Sequence, residues 1–166
     1  MQIRQAAHTD LDGIMRVVRL VVPLMQATGN HQWDNEYPER AAFTSDLDNG
    51  ELWVTEADNQ VVAVAAICGH QSPEYASVGW DLTEPAIVVH RLAVDPAVRG
   101  QGIALALMQQ AEQVAREQQI PRLRLDTNTK NLAVQALLVK LGYEYAGEIS
   151  LQRRPALRFR CYEKLI

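Results

Sequence analysis

Arg99, Gly100, Gln101, Gly102, Ile103 and Ala104 follow a turn at Pro96 and lead into a long segment of apolar periodicity. A helix that begins there has N–H groups without an intrahelical partner and about half a positive charge from its dipole. Gly100 and Gly102 keep side chains out of the way of an approaching anion, and Arg99 adds a permanent cation. Residues of these types in this order can grip a phosphate. They do not make a P-loop, because no Gly-Lys-Ser or Gly-Lys-Thr occurs in the chain. They do not make a Rossmann fingerprint either, because the position of its third glycine falls on Leu105. The competing reading is a two-glycine turn that serves chain reversal alone.

A second group of residues offers acid–base chemistry. His90 has an unperturbed pKa near 6.5 that suits a general base, and it stands two positions before Leu92. In a regular strand the two share a face; a satisfied core histidine is the bland alternative. Asp81 and Glu84 precede the same strand and read more simply as solvated loop acids. Asp126 could anchor an amine or cap the turn that follows it. Arg153, Arg154, Arg158 and Arg160 are the densest basic cluster. Arg158 and Arg160 alternate with Leu157, Phe159 and Cys161, as on a solvated strand face. If that face lined a cleft, it would favour an acceptor bearing a carboxylate or phosphate.

The elements that must position these groups can be read in order. Gln2 to Ala6 is a short strand. Thr9 with Asp12 predicts a capping box before a helix carrying Leu11, Ile14, Met15, Val18, Val21 and Val22, which Pro23 kinks or ends and Gly29 breaks. Residues 30–39 form an irregular loop with Trp33 and Tyr37, and Arg40 to Leu47 a second helix. Leu52 to Ala57 and Val61 to Gly69 predict a hairpin turning at Asp58-Asn59. A long connection over 71–84 holds Tyr75 and Trp80. Ile87 to Val94 is the central strand, and Ile103 to Gln118 a helix burying Ile103, Leu107, Ala111, Val114 and Ala115. Leu123 to Thr127 is a strand, and Leu132 to Leu141 a helix stopped by Gly142. Glu144 to Leu151 and Leu157 to Tyr162 are closing strands joined near Pro155.

With 166 residues, 48% of them apolar and 22% charged, the chain reads as one globular α/β domain over 1–166. A net charge of −4 gives no electrostatic reason to bind nucleic acid or an acidic membrane. Cys68 and Cys161 sit in apolar runs where buried thiols are the expectation. Arg4, His8 and Asp10 interrupt any leader-like stretch, and Arg16 and Arg19 any bilayer span, so a cytoplasmic location is expected.

Arg99-x-x-Gly102-x-Ala104, preceded by Leu92-Ala93-Val94, resembles the acyl-CoA pyrophosphate loop of the GNAT N-acetyltransferase superfamily. A second segment is similar to that family's Asn-x-x-Ala-x-x-Leu-Tyr-x-x-x-Gly-aromatic pattern: Asn131, Leu137, Gly142 and Tyr143 match, Val134 replaces the alanine, and Leu138 stands at the tyrosine. The resemblance implies an α/β fold: a mixed, mostly antiparallel sheet with two splayed parallel central strands and flanking helices. It implies acetyl-CoA as co-substrate, an amine acceptor and no metal. It assigns the cofactor to Leu92, Ala93, Val94, Arg99, Gly100, Gln101, Gly102, Ile103, Ala104 and Asn131, with the Ala93 N–H on the oxyanion. Trp33, Tyr37, Tyr75 and Trp80 would border the acceptor, where aromatics suit an amine. Leu138 cannot protonate a leaving thiolate, which favours the alternative of a non-catalytic CoA-binding sensor or regulatory module. A homodimer is the default assembly.

Overall fold

The computed structural model describes residues 1–166. Its strands are β1 (Gln2–Gln5), β2 (Leu52–Ala57), β3 (Gln60–Cys68), β4 (Ile87–Val94), β5 (Arg122–Asn128), β6 (Glu144–Leu151) and β7 (Arg154–Leu165). Its helices are α1 (Leu11–Ala27), α2 (Arg40–Asp48), α3 (Ile103–Glu117) and α4 (Leu132–Lys140). The strands form one sheet in the order β1-β2-β3-β4-β5-β7-β6. Every pairing is antiparallel except β4 with β5, which the crossover through α3 makes parallel. That parallel pairing is brief: Ile87 faces Leu123 and Val88 faces Arg124, and no further register follows. The C-terminal halves of β4 and β5 therefore diverge, and the sheet opens there.

Alternation along the strands divides the core. Ile87 and Val89 of β4 and Leu123 and Leu125 of β5 pack under α3 with Leu107, Met108 and Ala111, and Leu138 of α4 joins them. Val54, Val64 and Ala66 face α1 through Ile14, Val17, Val18 and Val21. The β2–β3 turn follows its sequence signal, since Asp58 and Asn59 both adopt positive φ (50° and 59°), the primed-turn geometry that matches strand twist. Cys68 and Cys161 are buried free thiols. No helix is long and apolar enough to cross a membrane.

Two local expectations are corrected. Thr9 and Asp12 do not cap α1. Thr9 is absorbed into a single 3₁₀ turn over His8–Asp10, and the Asp10 carboxylate accepts from the Ala7 N–H (2.7 Å) and from both terminal nitrogens of Arg4 (2.7 and 2.9 Å). The last hairpin turns at Gln152-Arg153, so β7 starts at Arg154 and takes in Pro155, where the expected strand started at Leu157.

Candidate active site

β4 carries an extra residue. His90 pairs with Ala66 and Ala93 with Val64, so Arg91 and Leu92 together oppose the single Ala65. Arg91 takes φ 52°, a conformation unusual for a residue with a side chain. Its guanidinium is tied down in compensation: Nε donates to Asp46 Oδ2 (2.7 Å), Nη2 to Asp46 Oδ1, and Nη1 to the Tyr37 hydroxyl (3.3 Å). The bulge shifts the side-chain period by one. His90 consequently lies on the face of Ala66 and Ala93, whereas Leu92 and Val94 pack towards α3. The expectation that His90 and Leu92 share a face is thereby overturned, since it assumed a regular strand.

Where β4 and β5 part, a cleft opens between Met25 of α1, Trp33, Tyr37, His90, Leu92, Asp126, Asn131, Val134 and Arg153. His90 is half-buried, and its Nε2 lies 3.2 Å from the carbonyl oxygen of His70. With Nε2–H donating to that carbonyl, Nδ1 keeps the lone pair. Burial pushes the His90 pKa down, which holds the ring neutral, while the His70 carbonyl and the Asp126 charge oppose the shift. Asp126 of β5 shows the complementary behaviour: burial raises its pKa, the Tyr75 hydroxyl hydrogen bond and the His90 charge lower it. Two titratable groups thus face one cleft from the two diverging strands. Asp126 was legible only as an ambiguous strand-end acid.

The predicted aromatics separate. Tyr37 is half-buried and lines the cleft; Trp33 also lines it but is 3% exposed and packs in the α1 core. Tyr75 and Trp80 do not reach it. Tyr75 is fully buried, because the 3₁₀ segment Pro73–Val78 lays it against Val88, Ile149 and Phe159, and Trp80 meets its edge at 5.1 Å under the Arg124 guanidinium. They are corrected from exposed loop aromatics to packing residues. Asp81 and Glu84 are likewise occupied elsewhere, with Thr83 and with Arg122 and Arg124 respectively.

The glycine-rich loop has the geometry of an anion cradle. Gly100 (φ 80°) and Gly102 (φ 77°) are both left-handed, and a Cβ added at either would meet open space. The first N–H of this stretch to find a protein carbonyl is that of Ala106, on Gly102 O at 2.9 Å, which leaves Ile103 to Leu105 undonated. Arg99 is exposed at this mouth and makes no ion pair with the chain. The loop is braced from behind by a buried carboxylate that sequence reading missed. Asp95 accepts from the Ala97 N–H (2.9 Å) and from Arg16 Nη1 (2.9 Å), while Arg16 Nη2 donates to Val61 O (2.8 Å).

Asn131 lines the cleft, yet its side chain is engaged. It caps α4 through the Val134 N–H (3.4 Å) and donates to Thr127 Oγ1 (3.0 Å). Leu138 is wholly buried beneath α3 and Tyr143 packs beside it, so neither presents a proton donor to the cleft.

A mixed sheet with one parallel pair splayed beside an open glycine-rich helix start is the architecture of N-acetyltransferases. The family model described as the Acetyltransferase (GNAT) family matches residues 17–143, and the chain belongs to that family of acyltransferases. It is 26% identical over 146 residues to the uncharacterized N-acetyltransferase YesJ of Bacillus subtilis, covering 86% of this chain and 81% of the relative. It is 32% identical to human N-acetyltransferase 8B over 97 residues, 58% of this chain and only 40% of that protein. The chain therefore spans less than half of such mammalian relatives. A GNAT-family acetyltransferase from Streptococcus agalactiae superposes with TM-score 0.85 at 29% identity, covering 99% of this chain and 95% of that one. The PaiA N-acetyltransferase of Thermoplasma acidophilum, solved in complex with coenzyme A, shares the fold (TM-score 0.75, 14% identity, 99% and 98% coverage).

Proposed function

We propose that the protein moves an acetyl group from acetyl-CoA to a primary amine of a small molecule or peptide, by direct attack in a ternary complex. The observation that carries this reading is the pairing of the open Gly100–Gly102 cradle with a cleft holding His90 and Asp126, both at the diverging ends of β4 and β5. Undonated N–H groups beside two glycines fit a pyrophosphate, and Arg99 supplies the countercharge. The backbone of Leu92, Ala93 and Val94, past the point where β5 leaves β4, suits the pantetheine arm as an added strand. In the β3–β4 register (Val64↔Ala93, with the Asp95 N–H on Val62 O at 2.8 Å) the Ala93 N–H is turned towards β3, so the thioester-oxygen role that the resemblance gave it passes to the neighbouring Val94 N–H, which points away from β3.

An ammonium entering beside Asp126 must lose a proton before it can attack, its own pKa being about 10. His90, kept neutral by burial, is the group to accept it. The amine nitrogen then bonds to the thioester carbonyl carbon, and collapse of the tetrahedral intermediate breaks the C–S bond. The CoA thiolate departs and the nitrogen sheds its second proton, which water can carry to the sulfur in place of the tyrosine that Leu138 replaces; with a thiol pKa of about 8.5 no strong acid is needed. The net charge of −4 supplies no electrostatic attraction for nucleic acid or an acidic membrane in this scheme.

The test is thiol release from acetyl-CoA, followed with DTNB over a panel of amines, amino acids, polyamines and peptides, beside calorimetric titration of CoA. Release that depends on the acceptor supports the transferase. CoA binding with no turnover on any acceptor replaces it with a CoA-binding module of the same fold.

A further inference from the structure

The basic cluster at the C-terminal hairpin is not uniform. Arg154 pairs with Asp34 (2.8 Å), Arg158 with Glu148 (3.5 Å), and Arg160 donates to Gln135 Oε1 (3.0 Å). Arg153 has no carboxylate and no hydrogen-bond partner. Its guanidinium carbon lies over the Tyr37 ring, 4.2 Å from the centroid, and it lines the cleft with His90 and Asp126. Its charge acts on Asp126 directly, lowering that carboxyl's pKa against the effect of burial.

Four contacts hold the Tyr37 loop and the β6–β7 turn around Arg153. Asp34 Oδ1 accepts from the N–H groups of Glu36 (2.8 Å) and Tyr37 (2.9 Å), which sets the loop that carries the ring. The Tyr37 hydroxyl is held by Arg91. The neighbouring Arg154 reaches Asp34 and ties the β6–β7 turn to the same loop. A guanidinium on an aromatic face keeps its in-plane N–H groups available, and those groups match a carboxylate in bidentate geometry. The other arginine of the cleft, Arg91, has its charge spent on Asp46.

Resting on the transferase reading above, we propose that the acceptor is an amine that also carries an anionic group, in the first place a carboxylate: an amino acid or short amino-acid-like molecule. Its ammonium end faces Asp126 and His90, and its carboxylate takes the two open N–H groups of Arg153. A polyamine, cationic at both ends, would meet Arg153 with like charge. Sequence reading assigned such a preference to the whole arginine cluster conditionally; the geometry concentrates it in one residue.

The experiment compares kcat/KM for matched acceptors: β-alanine against β-alaninamide, glycine against glycinamide, with phosphoethanolamine and putrescine as further arms. Wild type is expected to prefer each carboxylate over its amide by roughly 10- to 100-fold, the range of a charge-assisted hydrogen bond. Arg153→Gln is expected to bring that ratio close to one through the KM of the carboxylate acceptors, with CoA affinity retained; Arg153→Lys restores part of it. A preference for phosphoethanolamine over β-alanine that Arg153→Gln also removes would keep the anion site and overturn the carboxylate as its ligand. Equal use of amides, a preference for putrescine, or a ratio unmoved by Arg153→Gln would overturn the proposal while leaving the transferase intact. CoA binding without turnover on any arm would overturn the transferase reading, and this proposal with it.

Discussion

The Tyr75 hydroxyl donates a 2.6 Å hydrogen bond to Asp126 Oδ2, from a side chain entirely withdrawn from solvent. Tyr75 therefore stands behind the carboxylate that shares the cleft with His90, and acts on the site only through it. The phenol itself is locked as a donor, since burial and the adjacent Asp126 charge raise its pKa well above the ordinary value. Tyr75→Phe removes the one hydrogen bond that lowers the Asp126 pKa, so that pKa is expected to climb further. Because Asp126 and His90 titrate together, the acid limb of kcat/KM should move to higher pH while the plateau changes less. Urea denaturation should show a loss of about 1–3 kcal/mol for the stranded buried carboxylate oxygen. A limb that does not move would remove Asp126 from the rate.

His90 carries the second prediction. Its folded pKa lies below the unfolded value near 6.5, because burial disfavours the charged ring. The ring is therefore neutral through neutral pH, and with His90 as the proposed base kcat/KM should decline only below about 6.5. His90→Gln should cut kcat/KM by roughly 10²- to 10⁴-fold with CoA affinity unchanged. Stability follows the same sign. Just under pH 6.5 the unfolded chain takes up the proton and the folded one does not, so wild type loses stability as pH falls through that window towards the folded pKa, and the variant lacks this slope.

At the cradle, Arg99→Gln and Gly102→Ala should separate charge from backbone. Arg99 is exposed and unpaired, so its loss should leave the melting temperature unchanged. It should weaken CoA binding about tenfold at low salt, with a smaller salt dependence. Alanine at Gly102 must hold φ near 77°, at a cost of about 1–2 kcal/mol, and its methyl fills the open approach beside the undonated N–H groups. Calorimetry should therefore show weaker CoA binding and thermal scans a lower melting temperature for Gly102→Ala alone.

Asp95→Asn tests the brace beneath that loop. The Ala97 N–H, and then Arg16, hold the Asp95 pKa below the ordinary carboxylate value. A depressed carboxyl pKa contributes stability that is complete above the unfolded value of about 3.9 and disappears as pH falls through the folded one. The stability gap between wild type and Asp95→Asn should thus be about 1–3 kcal/mol at neutral pH and narrow below about pH 4. A gap that persists unchanged in acid would mean that packing, not charge, holds the loop.

Local chemistry was enough for the order of elements, the Asp58-Asn59 turn, the open glycine-rich loop from Arg99 to Ala104 and the family. Each depends on residues within a turn or two of one another, where glycine, proline and apolar period dictate the backbone directly. The site itself was decided by contacts between distant segments. A single inserted residue in β4 moved His90 to the face opposite Leu92, and no pattern in β4 alone marks it. Tyr75 was drawn from an expected loop into the core by strands that lie far along the chain, and Arg153 was singled out because the carboxylates that occupy its neighbours, Asp34 and Glu148, come from other elements. Sequence determined which groups exist and what each can do; the tertiary structure decided which of them remain unpaired and face one cleft, because burial and pairing are properties of the packed sheet and not of any segment.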